Sequence, residues 1–142
     1  MIKLDDNVRQ RIKDALDTGK SLTAAYVDRD GKPHISFYGS THVHNDDELA
    51  IWVRKPDSEL LKTIPDNPHI SMIYGDIPGT FYATFEGRAR VETDPVERDR
   101  IYAEMHALER KFEPDKAGFA VVIKLDRVTL LSKADGKQVF EA

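Results

Sequence analysis

Three basic side chains, Arg54, Lys55 and Lys62, lie close together in the chain, with the hydroxyl of Ser58 between them. Guanidinium and ammonium groups are the donors a phosphate oxygen recruits. A helix starting at this point would add backbone N–H groups and the positive end of its dipole. Just upstream, Trp52 and Tyr38 carry aromatic faces against which a flat ring can lie. The chemistry suggested is capture of a small molecule with a planar ring and an anionic tail. A plainer reading stands beside it: Arg54 and Lys55 as the solvated end of a strand, and Trp52 as a core residue.

Other candidate groups point less far. His42-x-His44 places two imidazoles on one face of a strand, a spacing some metal sites use. The only nearby third ligands are Asp46 and Asp47, so the pair reads as a surface or dimer-edge feature and no metal site is assigned. Ser36, Ser40 and Thr41 have no base and orienting acid at a recognisable spacing, so they are not read as nucleophiles. With no cysteine in the chain, thiolate metal sites, iron–sulfur clusters, disulfides and cysteine nucleophiles are excluded. No catalytic acid or base is assigned.

Bulk properties narrow the class. A chain of 142 residues, 40% hydrophobic and 32% charged, can bury a core and is read as one domain over residues 1–142. A net charge of −4 argues against nucleic acid or anionic membrane as partner. No stretch approaches the ~20 apolar residues of a membrane span, and Met1–Asp6 carries no signal-peptide core, so a cytoplasmic protein is expected.

The elements that must position these residues follow from periodicity. Residues 5–18 predict a helix with Val8, Ile12, Ala15 and Leu16 on one face, ended by Gly19. Strands are predicted at 21–27, about 34–44, 48–54, 70–74, 81–91 and 118–131. Asp57 is placed to cap a short helix carrying Leu60, Leu61 and Ile64, which stops before Pro65. Asp94-Pro95 opens a further helix whose stripe of Ile101, Met105, Leu108 and Phe112 is read as core. On the strand at 81–91, Glu86, Arg88 and Arg90 read as a solvated face with cross-strand ion pairs. Hairpin connections without a βαβ pattern, and without a glycine-rich dinucleotide loop or P-loop, predict an antiparallel barrel with helices as plugs.

The stretch from Leu49 to Tyr74, an apolar strand, a short polar turn, a basic helix start, then Asn67-Pro68 and another apolar strand, resembles the pyridoxamine 5'-phosphate oxidase-like family. Asp30-Gly31-Lys32-Pro33-His34-Ile35-Ser36 resembles that family's first hairpin. Phe85-Glu86-Gly87-Arg88-Ala89-Arg90-Val91, followed by Asp94-Pro95, resembles its Gly-Arg-Ala strand and the helix after it. The resemblance implies a mainly β fold with helices (α+β), a six-stranded antiparallel split β-barrel that binds FMN between the subunits of a homodimer. It implies an FMN-dependent oxidoreductase acting on a small-molecule substrate. The alternatives are a deazaflavin-dependent reductase and a non-enzymatic flavin- or ligand-binding member.

By the same resemblance the ring would lie near Phe37, Tyr38, Gly39, Ser40, Trp52 and Val53, and the phosphate near Arg54, Lys55, Ser58 and Lys62. Tyr82 falls where members place a polar residue from the second subunit. Two departures are visible: Glu59-Leu60 stands where relatives carry a basic pair, and the C-terminal Trp- and Arg-rich pattern of true pyridoxamine phosphate oxidases is missing. Vitamin B6 oxidation is therefore not expected.

Overall fold

A computed structural model describes residues 1–142. Asp5 caps the first helix by accepting the Val8 amide at 2.9 Å, giving α1 (Asp6–Asp14). The strands are β1 (Thr23–Val27), β2 (Pro33–Phe37), β3 (His42–Asn45), β4 (Glu48–Val53), β5 (His69–Asp76), β6 (Phe81–Glu92), β7 (Phe119–Ser132) and β8 (Gly136–Glu141). The remaining helices are α2 (Glu59–Thr63), α3 (Pro95–Glu104) and α4 (Ala107–Lys111). No helix is long and apolar enough to cross a membrane.

All strands join one antiparallel sheet in the order β2-β1-β5-β6-β7-β4-β3, with β8 pairing β7 outside that path. The strands β2 and β3 lie at opposite ends of the order, yet only residues 38–41 connect them. A link this short can join the two ends only if the sheet curls back on itself. Long β7 serves two neighbours along one edge: residues 119–124 pair with β4 and residues 127–132 with β8. Between them the register against β6 slips at Glu86/Gly87, where Arg127 and Leu125 face consecutive residues and Asp126 is left over as a bulge.

Inside the curl sits a cluster of 24 buried residues, including Leu22, Leu49, Ile51, Met72, Phe85, Ile123 and Leu125. Helix α1 closes one opening with Val8 and Ile12, each 2% exposed. Every residue of β4 is buried, because the strand has cover on both sides. Leu49, Ile51 and Val53 face the interior, whereas Ala50 and Trp52 pack outward with Ile101, Met105, Ala120 and Val122 beneath α3. This is the alternation expected for Ile51/Val53 against Ala50/Trp52. The β6 reading holds as well: Phe81, Ala83 and Phe85 are buried, and Arg88 and Arg90 pair with Asp126 and Glu48.

Several sequence expectations are corrected. The strand expected at about 34–44 is two strands, because Thr41 donates both its amide and its hydroxyl to the Tyr38 carbonyl and closes a tight corner. Strand β8 has no counterpart among the predicted strands, and with the 34–44 strand divided in two the sheet has eight strands against the six read from periodicity. Ser58, and not Asp57, occupies the cap position of α2, and its side chain makes no capping hydrogen bond. The helix starting at Pro95 breaks at Met105, which is extended at φ −69° and ψ 159°. Met105 stays buried, but the break turns Leu108 and Phe112 outward, to 45% and 58% exposure, so they leave the expected core stripe.

The His42/His44 pair is also corrected: it is buried beneath α3 and not on the surface. His42 donates from Nδ1 to the Ser40 carbonyl at 2.9 Å, which leaves its Nε2 as an acceptor without a partner. His44 Nε2 lies 3.1 Å from both Arg100 Nη2 and Glu97 Oε2. No cluster of three metal-ligating side chains forms around them or elsewhere.

Burial holds both imidazoles below their usual pKa of 6.5. The unfolded chain therefore takes up protons below that pH that the folded chain resists, so stability is full above it and falls as the pH drops. Thermal unfolding is expected at a lower temperature at pH ~5 than at pH ~7, and His42→Gln is expected to reduce the difference. A pH-independent melting temperature between those values would contradict the account. Gly87 gives a second prediction. A Cβ there would collide with the Lys124 carbonyl and come within 3.1 Å of Ile123 Cγ2, so Gly87→Ala must push the paired backbones apart. Urea denaturation should show a loss of about 2 kcal/mol or more.

Candidate functional site

The tight corner at residues 38–41 is held from three sides. The Tyr38 amide donates to the Leu22 carbonyl at 2.9 Å. Ser40 Oγ accepts the Trp52 amide at 2.9 Å and lies 3.4 Å from the Trp52 carbonyl, so a hydroxyl stands in for a neighbouring strand at this point. The Ser40 side chain is thus spent on structure, and at 3% exposure it offers nothing to a ligand. Beyond β4 the chain turns back, with the Ser58 amide donating to the Lys55 carbonyl at 3.1 Å. Between the corner and this turn lies a cleft of about 240 Å³.

The cleft brings together most of the residues singled out from sequence. Phe37, Tyr38, Gly39 and Ser40 form one wall, and Trp52, Val53, Arg54, Lys55 and Ser58 the other. Lys62 and Tyr82 do not line it. Lys62 is an exposed residue of α2, a helix of five residues, too short to lend the dipole that was expected to help hold an anion. Tyr82 lies on β6, three strand spacings or roughly 14 Å along the sheet from β2.

The walls differ in character. Burial raises the pKa of the Tyr38 phenol above its ordinary value of 10.0, so at neutral pH the ring is an uncharged surface. Trp52 borders the cleft, but its indole is committed elsewhere. Its Nε1–H donates to Glu113 at 2.8 Å, the Arg98 guanidinium lies 4.9 Å from its ring centre, and Tyr102 meets it edge-on at 5.3 Å. The core reading of Trp52 therefore describes its side chain. At the opposite end Arg54 and Lys55 are exposed, and neither pairs with a carboxylate. Arg54 stacks on Phe112 at 5.2 Å, which orients it without neutralising it. Glu59, the departure from the family pattern, does not line the cleft; its charge instead helps raise the pKa of the Tyr26 phenol on β1.

Two acidic residues escape the sequence reading. Glu113 is buried and accepts from Trp52 and from the Gly118 amide at 2.7 Å, fixing the segment that enters β7. Glu109, on α4, lines the cleft against Gly39. Neither carries a local signal, since both sit in a charged stretch that reads as a solvated helix face. A second cavity of about 410 Å³ lies across the corner, between α1 and the α3–α4 junction, and shares Tyr38 and Gly39 with the cleft.

No curated protein matches the sequence. Among solved structures, HupZ from Group A Streptococcus is similar with a TM-score of 0.67, at 19% identity over 89% of this chain and 94% of that one. A protein of Clostridium acetobutylicum related to general stress protein 26, of the pyridoxinephosphate oxidase family, gives 0.69 at 10% identity, covering 97% of this chain and 96% of that one. A heme binding protein from Mycobacterium smegmatis gives 0.69 at 13% identity, covering 99% of this chain and 60% of that one. These likenesses establish the fold. The sequence model of the pyridoxamine 5'-phosphate oxidase family matches residues 8–132. The chain belongs to the pyridoxamine 5'-phosphate oxidase family.

Proposed function

We propose that the chain is an FMN-binding oxidoreductase that works as a homodimer on a small-molecule substrate. The observation that carries this reading is the cleft itself, in which an uncharged wall from the 38–41 corner faces two exposed, unpaired cations at one end. Arg54 and Lys55 would hold the phosphate through charge-assisted hydrogen bonds, with the Ser58 hydroxyl free to donate a third. The backbone of residues 36–40 and Val53 would bear on the ring. When bound, FMN supplies the electron-transfer chemistry. The protein's task is to orient the ring and shield one of its faces from water. A deazaflavin coenzyme presents a similar ring and phosphate and is the nearest alternative.

The cleft is smaller than the ~300–1,000 Å³ of common ligand pockets. One protomer thus supplies part of a site, and a second copy is the natural source of the missing wall. The outer face of the sheet supports this. Ile35 and Phe37 on edge strand β2 are each 73% exposed, and the register carries their row through Thr23 to Ile73, itself 47% exposed. The same cross-strand row continues through Thr84 and Thr129 to Val139 on β8, and Tyr82 and Leu131 pair in the row beside it. Apolar bands on this scale, ending at an unpaired strand edge, favour a covering partner. Phe37 belongs both to this band and to the cleft wall, so a second copy seated here reaches the cleft, and Tyr82 lies on the surface it would bring.

Two measurements test the reading. FMN titrated into the protein should bind with a flavin absorption change. Arg54→Ala and Lys55→Ala should each weaken binding by about tenfold or more, the loss of one charge-assisted hydrogen bond. Hemin is titrated in parallel, because one structural relative is a heme binding protein. Hemin binding without FMN binding would overturn the flavin assignment. Sedimentation at micromolar concentration should show a dimer, and Ile35→Asp should yield monomer with weaker FMN binding. A monomeric wild-type protein would remove the shared-site model.

A further inference from the structure

Glu109 holds a position that the rest of the chain accommodates without using. Gly39, opposite it, does not lie in the left-handed region that favours glycine, so its backbone would accept any residue. What stands opposite it is the Glu109 side chain. A Cβ at this position would collide with the Glu109 carboxylate and come within 3.3 Å of Leu16 Cδ1. The Glu109 carboxylate thus lies against the backbone of the corner.

Nothing in the chain pairs with that carboxylate. Its neighbours are all engaged: Glu97 and Glu104 with Arg100, and Glu113 with Trp52 and Gly118. Glu109 is half-buried, and its side chain makes no hydrogen bond or ion pair. The helix that carries it is pinned. His106 anchors the start of α4, its Nδ1 accepting the Leu108 amide at 3.0 Å and its Nε2 lying 2.7 Å from Asp17, just past the end of α1. Arg110 ties the same turn back to the carbonyls of Ala103 and Met105, and Phe112 rests under Arg54. A half-buried carboxylate held by a pinned helix, with no partner of its own, acts on whatever enters the cleft.

We propose that Glu109 sets the reduction potential of a flavin held in this cleft, an inference that rests on the flavin reading above. Electrons added to the ring raise its energy next to a fixed negative charge, and partial burial weakens solvent screening. Bound FMN is therefore a stronger electron donor than it would be beside a neutral residue. The reaction class this favours is reduction of an acceptor. A reduced nicotinamide supplies two electrons and one proton to the flavin, solvent supplies the second proton, and the acceptor leaves carrying two electrons and two protons. Arg54 and Lys55 line the same cleft and would take the phosphate, so one cleft holds both charges.

The test compares wild type with E109Q and E109D. FMN is titrated into each, and the midpoint potential of each complex is then read against redox dyes. All three should bind FMN. E109Q should show a higher potential, by at least a tenfold change in the reduction equilibrium, or about 30 mV for two electrons. E109D, which keeps the charge, should stay near wild type. Equal potentials in wild type and E109Q would overturn the role of Glu109 and leave the flavin reading intact. Failure of wild type and both variants to bind FMN would overturn the flavin reading and this inference with it. A merely structural role for Glu109 would lower the melting temperature of E109Q without moving the potential.

Discussion

The hydrogen bond between the Ser40 hydroxyl and the Trp52 amide joins the two regions on which the rest of the structure depends. Strands β2 and β3 follow one another in sequence but stand at opposite ends of the sheet, so residues 38–41 must cross from one end to the other. At that crossing the backbone cannot continue a ladder, and buried polar groups of β4 would go unpaired. The Ser40 side chain supplies the missing partner, Thr41 bonds back to Tyr38, and His42 bonds back to the Ser40 carbonyl. The corner is rigid because each of its turns is closed by a named hydrogen bond. The cleft exists because that corner stands beside the end of β4.

Burial of β4 on both faces decides the layering around this junction. A strand with one face in a barrel interior leaves its other face to be covered, and α3 provides that cover through Ile101 and, at its end, Met105, each at most 1% exposed. Burying two such side chains contributes about 3–6 kcal/mol in transfer terms. The same layer shuts His42 and His44 away from water and keeps them neutral. It also occupies the Trp52 indole, so the aromatic residue nearest the basic pair in sequence belongs to the core. The cleft is therefore polar and backbone-lined, fixed on its corner side and open on its cationic side.

Membership of the family establishes the scaffold, and structural relatives that include a heme binding protein show that the scaffold does not dictate the ligand. What distinguishes this chain is the set of charges around its cleft. Arg54 and Lys55 are free of carboxylate partners and Glu109 is unpaired, while Glu59 lies outside the cleft and acts on Tyr26. The family's basic pair after the Ser or Thr is absent, and the cations that line the cleft are two residues just past the preceding strand. That arrangement is compatible with anion capture because a phosphate needs donors within reach, not donors from a particular element.

The grouping of Phe37–Ser40 with Trp52–Lys55 followed from the family resemblance, and local periodicity, read from the sequence alone, determined the strand faces of β4 and β6 and the capped start of α3. These are properties of neighbouring residues, and alternation or capping chemistry expresses them without knowledge of the fold. Tertiary structure decided the rest. The corner at 38–41 interrupts a run of good strand formers because hydrogen bonds from distant β4 and from Leu22 hold it bent. The break at Met105 depends on Asp17, just past the end of α1, holding His106, so the apolar stripe that continues to Phe112 in sequence does not continue in space. Glu109 had no signature at all. Its position in the cleft, against the backbone of Gly39 far earlier in the chain, exists only because folding brings the two together.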